Sequence, residues 1–531
     1  MNRLNLLEAL TDNIVIDKDK CIYCGQCVET CILDNLRMKL APCRQGCPLG
    51  VNVQGYVQEV KRGNDDRARE IIREKLIFPE ILGRICHAPC EQNCHRAVTG
   101  GTAVAARVVK RYLTEGQRIE DIPVPEVPKA SGKRAAVIGS GPAGLQAAYD
   151  LRLAGHEVTV FESGQKPGGM MRWAIPEYRL PCEVLERELS LLERMGISFC
   201  CNVHVGLDKD FAEMRKDFDV LVLATGCPEA VKLDIEGDQM AGVTLGLDML
   251  KTARTTGELS YNGSVVVIGG GNVAMDAAQT AMRFGAKEVK VISLEDEDQL
   301  PAFREEIENA KAAGVKFEHC WGPRRIIGED GKVCGVELQR CTAVFDERGK
   351  FSPQFDSASL TVIQADAVIV AVGQSRDADL FADLGDVDPQ TLQVAESNLF
   401  LAGDCQNGPG SVVSAMASGR EAAESANRLL AGKNIVYGRF YQGPVETDFE
   451  IDTTKATNAD RVVPPCREFN GKGDFEELEG GISEAEARKE ASRCYSCGQP
   501  FGKYRTCWFC LPCEVECPQN ALWVDVPYLL R

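Results

Sequence analysis

The chain has 531 residues, 44% apolar and 26% charged, the composition of an ordinary globular protein with room for several domains. Its net charge of −18 argues against nucleic acid and anionic membrane surfaces as partners, since both would repel it. No apolar run approaches the roughly 20 residues of a membrane helix, and the amino terminus, MNRLNLLEALTDNIVIDKDK, has early acids and no signal-type apolar core, so the protein is expected in the cytoplasm.

Residues 1–35 carry a short apolar segment, a strand signal (NIVID) and the run CIYCGQCVETC, which spaces Cys21, Cys24, Cys27 and Cys31 as C-x2-C-x2-C-x3-C. Cytoplasmic thiols are reduced, so clustered cysteines read as metal ligands rather than disulfides. Three thiolates this close can wrap one face of an iron–sulfur cubane, with a remote cysteine completing it. In two-cluster ferredoxins the fourth cysteine of such a run serves the other cluster. Residues 36–125 read as mainly helical, as in GYVQEVKRGNDDRAREIIREKL, and add Cys43, Cys47, Cys86, Cys90 and Cys94. His87 and His95 flank these cysteines and read as surface or packing residues. A proline-rich stretch, IPVPEVPKASG at 122–132, reads as an extended linker.

From Arg134 the texture changes to strand, glycine turn and helix, the pattern of doubly wound α/β domains. Two glycine loops, AAVIGSGPAG and VVVIGGGNVA, repeat at an offset of 130 residues and predict two dinucleotide-binding folds. The expected segments are 134–255 and 376–432 for the first fold and 256–375 for the second. In the first loop Gly139 permits the tight turn, Gly141 lets the backbone approach a pyrophosphate, and Gly144 allows close helix–strand contact. The helix start offers unpaired N–H groups to phosphates. Glu162 ends the next strand, where a carboxylate would bind the adenosine ribose of FAD. A second element, LFLAGDCQNGPGSVVSAMASGREAA, sets Gly403 and Asp404 between strand and helix, where an aspartate would hold the ribityl chain. Ala143 and Thr225 complete these candidate FAD contacts. The bland alternatives are a ligand-free glycine turn and a helix-capping Asp404.

The second loop has Gly269 and Gly271, with Ala274 at the third glycine position. Its following strand ends at Glu295, whose carboxylate would accept hydrogen bonds from both ribose hydroxyls of NADH and repel a 2′-phosphate. Asn272, Val273 and Gly373 join the candidate nicotinamide-nucleotide contacts. The competing reading makes Glu295 one solvated acid of the run EDED.

After about Arg428 the chain turns polar and acidic, and 433–482 reads as a linker arm across the surface. Ser483 and Glu486 form a capping-box pattern ahead of a helix. That helix leads into a carboxy-terminal module at 483–531, with Cys494 and Cys497 followed by Cys507, Cys510, Cys513 and Cys517 in the same spacing as the first run. Nine end cysteines precede residue 95 and six follow residue 493, enough for about three [4Fe-4S] clusters. Zinc is the competing reading, chiefly for Cys494 and Cys497. The nine cysteines between form no C-x-x-C and read as core residues.

Several further motifs, APCRQGCPLGVNVQGY, GRICHAPCEQNC, GGMMRWAIPEYRLP and GDCQNGPGSVVSAMASGR, together with both glycine loops, resemble the glutamate synthase small-subunit family and the amino-terminal half of dihydropyrimidine dehydrogenase over roughly 40–432. The resemblance implies an α/β chain with the NAD fold inserted in the FAD fold, and cubane clusters in a helical amino-terminal domain. Here these would be joined by ferredoxin-like modules at both ends. It also implies that Gly169, Met170 and Arg172 contact the flavin. Two departures stand out. The family's C-x-x-C before Cys43 is replaced by Asn35 and Met38, so the Cys21–Cys31 finger is expected to supply the missing thiolates. An Arg-Arg pair found in members that prefer NADPH is Leu294-Glu295 here, consistent with NADH.

The expected function is an NADH:acceptor oxidoreductase subunit that passes electrons through FAD and clusters to a redox partner subunit or ferredoxin in a hetero-oligomer. Electron-bifurcating complexes occur in this superfamily, though no residue pattern here requires one. Hydride transfer at a flavin needs no protein acid or base, so no catalytic side chain is assigned. The alternatives are a glutamate synthase small subunit, a disulfide reductase, opposed by the lack of C-x-x-C in 134–432, and a cluster-bearing scaffold.

Overall fold

The computed structural model describes residues 14–17, 20–31, 36–99, 101–382, 384–437, 439, 445–454, 456–502 and 510–525. They form two compact units, one from the described parts of Met1–Gln117, Val436–Pro465 and Gly481–Arg531, the other from Arg118–Ile435 and Cys466–Gly480. Among the described residues no helix is long and apolar enough to cross a membrane.

The larger unit holds two parallel five-stranded sheets. The first runs in the order Leu399–Leu401, Val220–Leu223, Arg134–Ile138, Glu157–Phe161, Ser198–Cys200. Its central strands are continuous apolar runs because helices or loops cover both faces of a parallel sheet. Helices Pro142–Leu153 and Val412–Leu430 pack closely against each other, since a Cβ on Gly419 would lie 2.1 Å from the Ala143 carbonyl oxygen. The second sheet runs Lys316–His319, Glu288–Ser293, Ser264–Ile268, Ala367–Val370, Val243–Leu245. Alternate residues of its glycine-loop strand bury in opposite directions. Val265 and Val267 meet Ala274, Ala277 and Ala278 of the following helix, while Val266 and Ile268 meet Ile326, Val336 and Leu338 of an antiparallel sheet, Trp321–Glu329, Lys332–Phe345 and Phe351–Gln364. The second fold therefore begins before residue 256. The strand Val243–Leu245 and helix Gly246–Thr255 belong to it, and the chain crosses between folds at the antiparallel pair Glu229–Ala230 and Gln374–Ser375. A three-residue, half-buried edge strand has too little apolar signal to be placed from sequence.

In the smaller unit, Ile14–Ile16 pairs antiparallel with Leu522–Val524, Ile14 opposite Val524. The segments 1–35 and 483–531, expected as separate modules, thus share one sheet and one core of Cys27, Val28, Leu36, Met38, Cys513, Leu522 and Val524. A short strand Leu36–Lys39 pairs with Val445–Glu446 and Pro500–Gly502. Of the 433–482 arm, Val436–Pro465 belongs to this unit and Cys466–Gly480 to the other. Amphipathic helices Val53–Arg62, Asp65–Arg73, Pro79–Ile85 and Ala106–Thr114 make the helical part. Against them packs Glu484–Ser492, whose capping box has the Ser483 N–H donating to Glu486 Oε2 at 2.8 Å.

Candidate dinucleotide and iron–sulfur sites

The first glycine loop is shaped by collisions that only glycine avoids. Gly139 has φ +99°, and a Cβ there would lie 2.5 Å from the Ala224 carbonyl oxygen. A Cβ on Gly144 would lie 2.0 Å from the Gly139 carbonyl oxygen, so this position brings helix and strand together. Gly141 is different. It is extended, and a Cβ on it would meet no protein atom within 4 Å. It caps the helix Pro142–Leu153 with no side-chain hydrogen bond, leaving the helix N–H groups to an anion.

The buried carboxylate of Glu162 is tied to this loop. Its Oε2 accepts from the Ser140 N–H at 3.0 Å and from the Ser140 hydroxyl, and its Oε1 accepts from the Gly164 N–H at 2.7 Å. Ser140 Oγ also accepts from the Gly168 N–H at 3.1 Å, folding the GG turn over the loop so that Gly169 abuts Gly141. Met170 opens the short helix Met170–Trp173, and Arg172 Nη1 donates to Glu186 at 2.9 Å. Two buried polar atoms remain without a partner here, Arg172 Nη2 and Thr225 Oγ1. On the far side Gly403 sits so close that a Cβ on it would be 2.7 Å from the Ala143 methyl, and its N–H donates to Ser418 Oγ at 2.9 Å. Burial pushes the Asp404 carboxyl above the usual range, against the Gly410 N–H that lowers it. An open Gly141, a helix start without a side-chain cap and two orphaned donors fit FAD. Ser140, Gly164 and Gly168 are contributors that sequence reasoning missed, although the two glycines stand in plain turn segments.

The second loop repeats the pattern. Gly269 has φ +138° and a Cβ there would lie 2.2 Å from the Ala371 carbonyl oxygen, whereas Gly271 again has no protein atom within 4 Å of a Cβ. At the third position the Ala274 methyl is fully buried in the apolar cluster with Val265 and Val267. A Cβ on Gly270 would be 3.0 Å from Glu295 Oε2, so the Glu295 carboxylate faces the loop rather than only solvent. The Glu295 backbone is pinned as well, its carbonyl accepting from Ser293 Oγ at 3.0 Å and from the Cys320 N–H at 3.1 Å. Leu294 turns toward Gly322, in the antiparallel sheet. Asn272 Oδ1 accepts from the Phe303 N–H at 2.9 Å, which makes it a brace for the 301–303 turn. Half-buried Val273 follows it, and Gly373, at φ +142°, immediately precedes the crossing strand Gln374–Ser375. Asp276 on the same helix accepts two hydrogen bonds from Arg179, at 2.7 and 2.8 Å, a brace no motif announced.

In the smaller unit Cys21, Cys24, Cys27 and Cys517 line one cavity, with Ile16, Ile22, Pro518 and Leu522 as apolar wall. Burial pushes the Cys21 thiol up to about 11. Cys31 and Cys513 pack against the neighbouring core, Cys510 is exposed, and Cys507 lies outside the described residues. A second cavity is lined by Cys43, Cys90, Cys94, Cys494 and Cys497. The Cys21–Cys31 finger is therefore not what faces Cys43, contrary to expectation. It is drawn to the carboxy terminus by strand pairing, and Cys494 and Cys497 stand beside Cys43 instead. Cys86 is buried and Cys47 half-buried. Backbone N–H groups point at several sulfurs, Tyr23 to Cys21 at 3.4 Å, Ala521 to Cys517 at 3.2 Å and Ala88 to Cys86 at 3.4 Å. Such hydrogen bonds suit thiolates of iron–sulfur clusters, whose charge they stabilise. Of the middle cysteines, Cys227, Cys341 and Cys405 are buried and Cys466 is exposed.

Residues 133–419 match the pyridine nucleotide-disulphide oxidoreductase family, residues 34–122 the dihydropyrimidine dehydrogenase domain II with its 4Fe-4S cluster, and residues 14–33 a 4Fe-4S binding domain. The chain is 31% identical over 507 residues to the NADP(+)-dependent formate dehydrogenase subunit beta of Moorella thermoacetica, covering 86% of this chain and 70% of that one. It is 32% identical over 418 residues to the glutamate synthase [NADPH] small chain of Azospirillum brasilense, covering 74% of this chain and 86% of the relative. The NAD-dependent dihydropyrimidine dehydrogenase subunit PreT of Escherichia coli is 30% identical over 399 residues, 74% of this chain and 92% of its own. Among solved structures, FprA from Mycobacterium tuberculosis shares the fold of the nucleotide-binding part, with a TM-score of 0.50 at 19% identity over 56% of this chain and 85% of that one.

Proposed function

Because the chain belongs to the pyridine nucleotide-disulphide oxidoreductase family and is a flavin-, nicotinamide- and [4Fe-4S]-dependent oxidoreductase, we propose that it is the NADH-oxidising subunit of a multi-subunit complex. It takes hydride from NADH and passes electrons to a redox partner subunit or a ferredoxin, in the cytoplasm. A bound flavin would supply the exchange between hydride and single-electron chemistry, which side chains lack.

The observation that carries the cofactor preference is the Glu295 carboxylate facing Gly270. In that position it would accept hydrogen bonds from a ribose diol and repel a 2′-phosphate, as like charges across a site cost several kcal/mol. The named relatives divide, PreT being NAD-dependent and the formate dehydrogenase subunit NADP(+)-dependent, so the choice rests on this chain's own carboxylate. Gly141 and Gly271 leave the two helix starts open to pyrophosphates, and Glu162, Thr225, Arg172 and Asp404 would hold the flavin.

Anaerobic reduction of the purified protein by NADH and by NADPH, followed at flavin wavelengths, tests the reading. NADH should win in the natural chain, and the double variant Leu294→Arg, Glu295→Arg should shift preference toward NADPH. Equal or faster reduction by NADPH in the natural chain would refute it. A second reading, a glutamate synthase small subunit, is favoured by the match over 86% of the Azospirillum small chain. It requires NADPH preference and glutamate formation once a large subunit is added.

A further inference from the structure

We propose that Cys494 and Cys497, near the far end of the chain, are thiolate ligands of the [4Fe-4S] cluster of the amino-terminal helical domain, forming one four-cysteine set with Cys43 and Cys94. The assignment holds whichever acceptor receives the electrons.

Between Cys31 and Cys43 the sequence has no cysteine, so the helical domain cannot complete this set from its own upstream residues. The second cavity gathers five thiols, Cys43, Cys90, Cys94, Cys494 and Cys497, within an otherwise largely apolar wall that includes Pro42, Val53, Val57 and Val104. Of the two candidates for the fourth place, Cys94 directly precedes His95 and Arg96. The His95 ring lies 6.3 Å from that of Tyr495, and Arg96 Nη1 donates to the Arg493 carbonyl at 2.9 Å, so Cys94 stands against the turn that carries Cys494 and Cys497. Cys90 is then left with Cys47 and Cys86. Among the described residues no three His, Cys, Asp or Glu side chains converge as a single metal ion requires.

The pair is delivered by a built mount. Glu490 is fully buried, with Oε1 accepting from the Ala105 N–H at 2.8 Å and Oε2 from the Val462 N–H at 2.6 Å. Arg493, also buried, donates to the carbonyls of Ala103 at 3.0 Å, Thr102 at 2.7 Å and Ala459 at 2.9 Å. Arg96 Nη1 then donates to the Arg493 carbonyl at 2.9 Å, and Gln54 Nε2 to the Gly498 carbonyl at 3.1 Å. Arg488 joins the preceding helix to Asp65 and to the Val60 carbonyl. Burying charged groups is tolerated only when they are fully paired, and here that network ends in the turn bearing the two thiols. The Ser496 N–H within that turn points at Cys494 Sγ at 3.4 Å.

The fifteen end cysteines then divide without conflict. Cys21, Cys24, Cys27 and Cys517 line the first cavity, and Cys31 is left to the other cysteines of the carboxy-terminal run, by the exchange of fourth ligands common to two-cluster ferredoxins. With Cys43, Cys94, Cys494 and Cys497 as the third set, Cys47, Cys86 and Cys90 are the three remaining.

The test uses the full-length protein, purified anaerobically, with Cys43→Ser, Cys494→Ser, the double variant Cys494→Ser, Cys497→Ser, and Cys24→Ser as comparator. Iron, sulfide, zinc and flavin per chain are measured together with low-temperature EPR of the reduced protein. The double variant should lose one cubane's worth of iron and sulfide while keeping its flavin. Cys43→Ser and Cys494→Ser should remove or alter the same EPR signal, and Cys24→Ser a different one. Full iron with an unchanged spectrum in the double variant would overturn the proposal. So would separate signals affected by Cys43→Ser and Cys494→Ser, or one zinc per chain that disappears with the pair. Since the two single variants are compared with each other, a fold defect in the double variant leaves the decision intact.

Discussion

A methyl group on Gly271 meets nothing in the protein, while one on Gly269 overlaps the Ala371 carbonyl, and this contrast separates ligand binding from folding. Gly271 has φ −88° and ψ 177°, a conformation alanine adopts freely. Gly271→Ala should therefore leave stability unchanged or raise it by roughly 0.4–1 kcal/mol, through a less flexible unfolded chain. The new methyl would project into the space where a pyrophosphate must approach the start of helix Asn272–Arg283. Holding the phosphate off weakens at least one hydrogen bond to a charged group, about 1.5–3 kcal/mol. At 1.4 kcal/mol per tenfold, that is roughly a 10- to 100-fold rise in KM for NADH. Gly269→Ala combines a left-handed φ of +138° with a 2.2 Å approach to a carbonyl oxygen, and should instead lower stability. The assay is steady-state reduction of a small dye over an NADH series, alongside thermal melts and flavin content for both variants. A Gly271→Ala protein with unchanged KM would refute the loop as the nicotinamide-nucleotide site. One that melts early would refute the reading of open space.

The same logic applies at the flavin. Thr225→Val should be neutral or slightly stabilising, because the hydroxyl has no protein partner, yet should weaken FAD retention by about 0.5–1.5 kcal/mol, measured by flavin release on dilution. The Arg134 N–H and Lys133 hold Asp219 below the usual carboxylate range, so its stabilising effect is present above the unfolded value, near pH 4, and is lost as pH falls through the lower folded value. Asp219→Asn should accordingly be less stable than the natural chain at neutral pH, with the gap closing in acid, followed as flavin release against pH. Deleting 483–531 should spare NADH-driven dye reduction, carried by residues of the larger unit, yet remove more iron than the deleted cysteines hold. Ile14–Ile16 would lose its partner strand and Cys21, Cys24 and Cys27 would lose Cys517. Iron per flavin that falls only by the deleted share would refute the shared module.

Both glycine loops were legible in the sequence because their demands are local. A tight turn, a close helix and an acid ending the next strand lie within one βαβ unit, so Gly139, Gly144 and Glu162 announce one another across two dozen residues. The cysteine runs were legible for the same reason, since three thiolates on one cluster face need neighbouring positions. The capping box at Ser483 is another four-residue device. What spacing could not reveal was which distant segment meets which. Ile14 pairs with Val524, Cys517 closes a cavity begun at Cys21, and Cys494 and Cys497 stand beside Cys43. These partnerships arise from edge-strand hydrogen bonds and a buried Glu490–Arg493 network, neither of which leaves a periodic trace in the residues that form it. The chain's residue order determined the kinds of group available, thiolates at the ends and phosphate-binding loops between. Only tertiary packing decided how the thiols are shared, because a side chain's remote partner depends on where whole strands and helices come to rest.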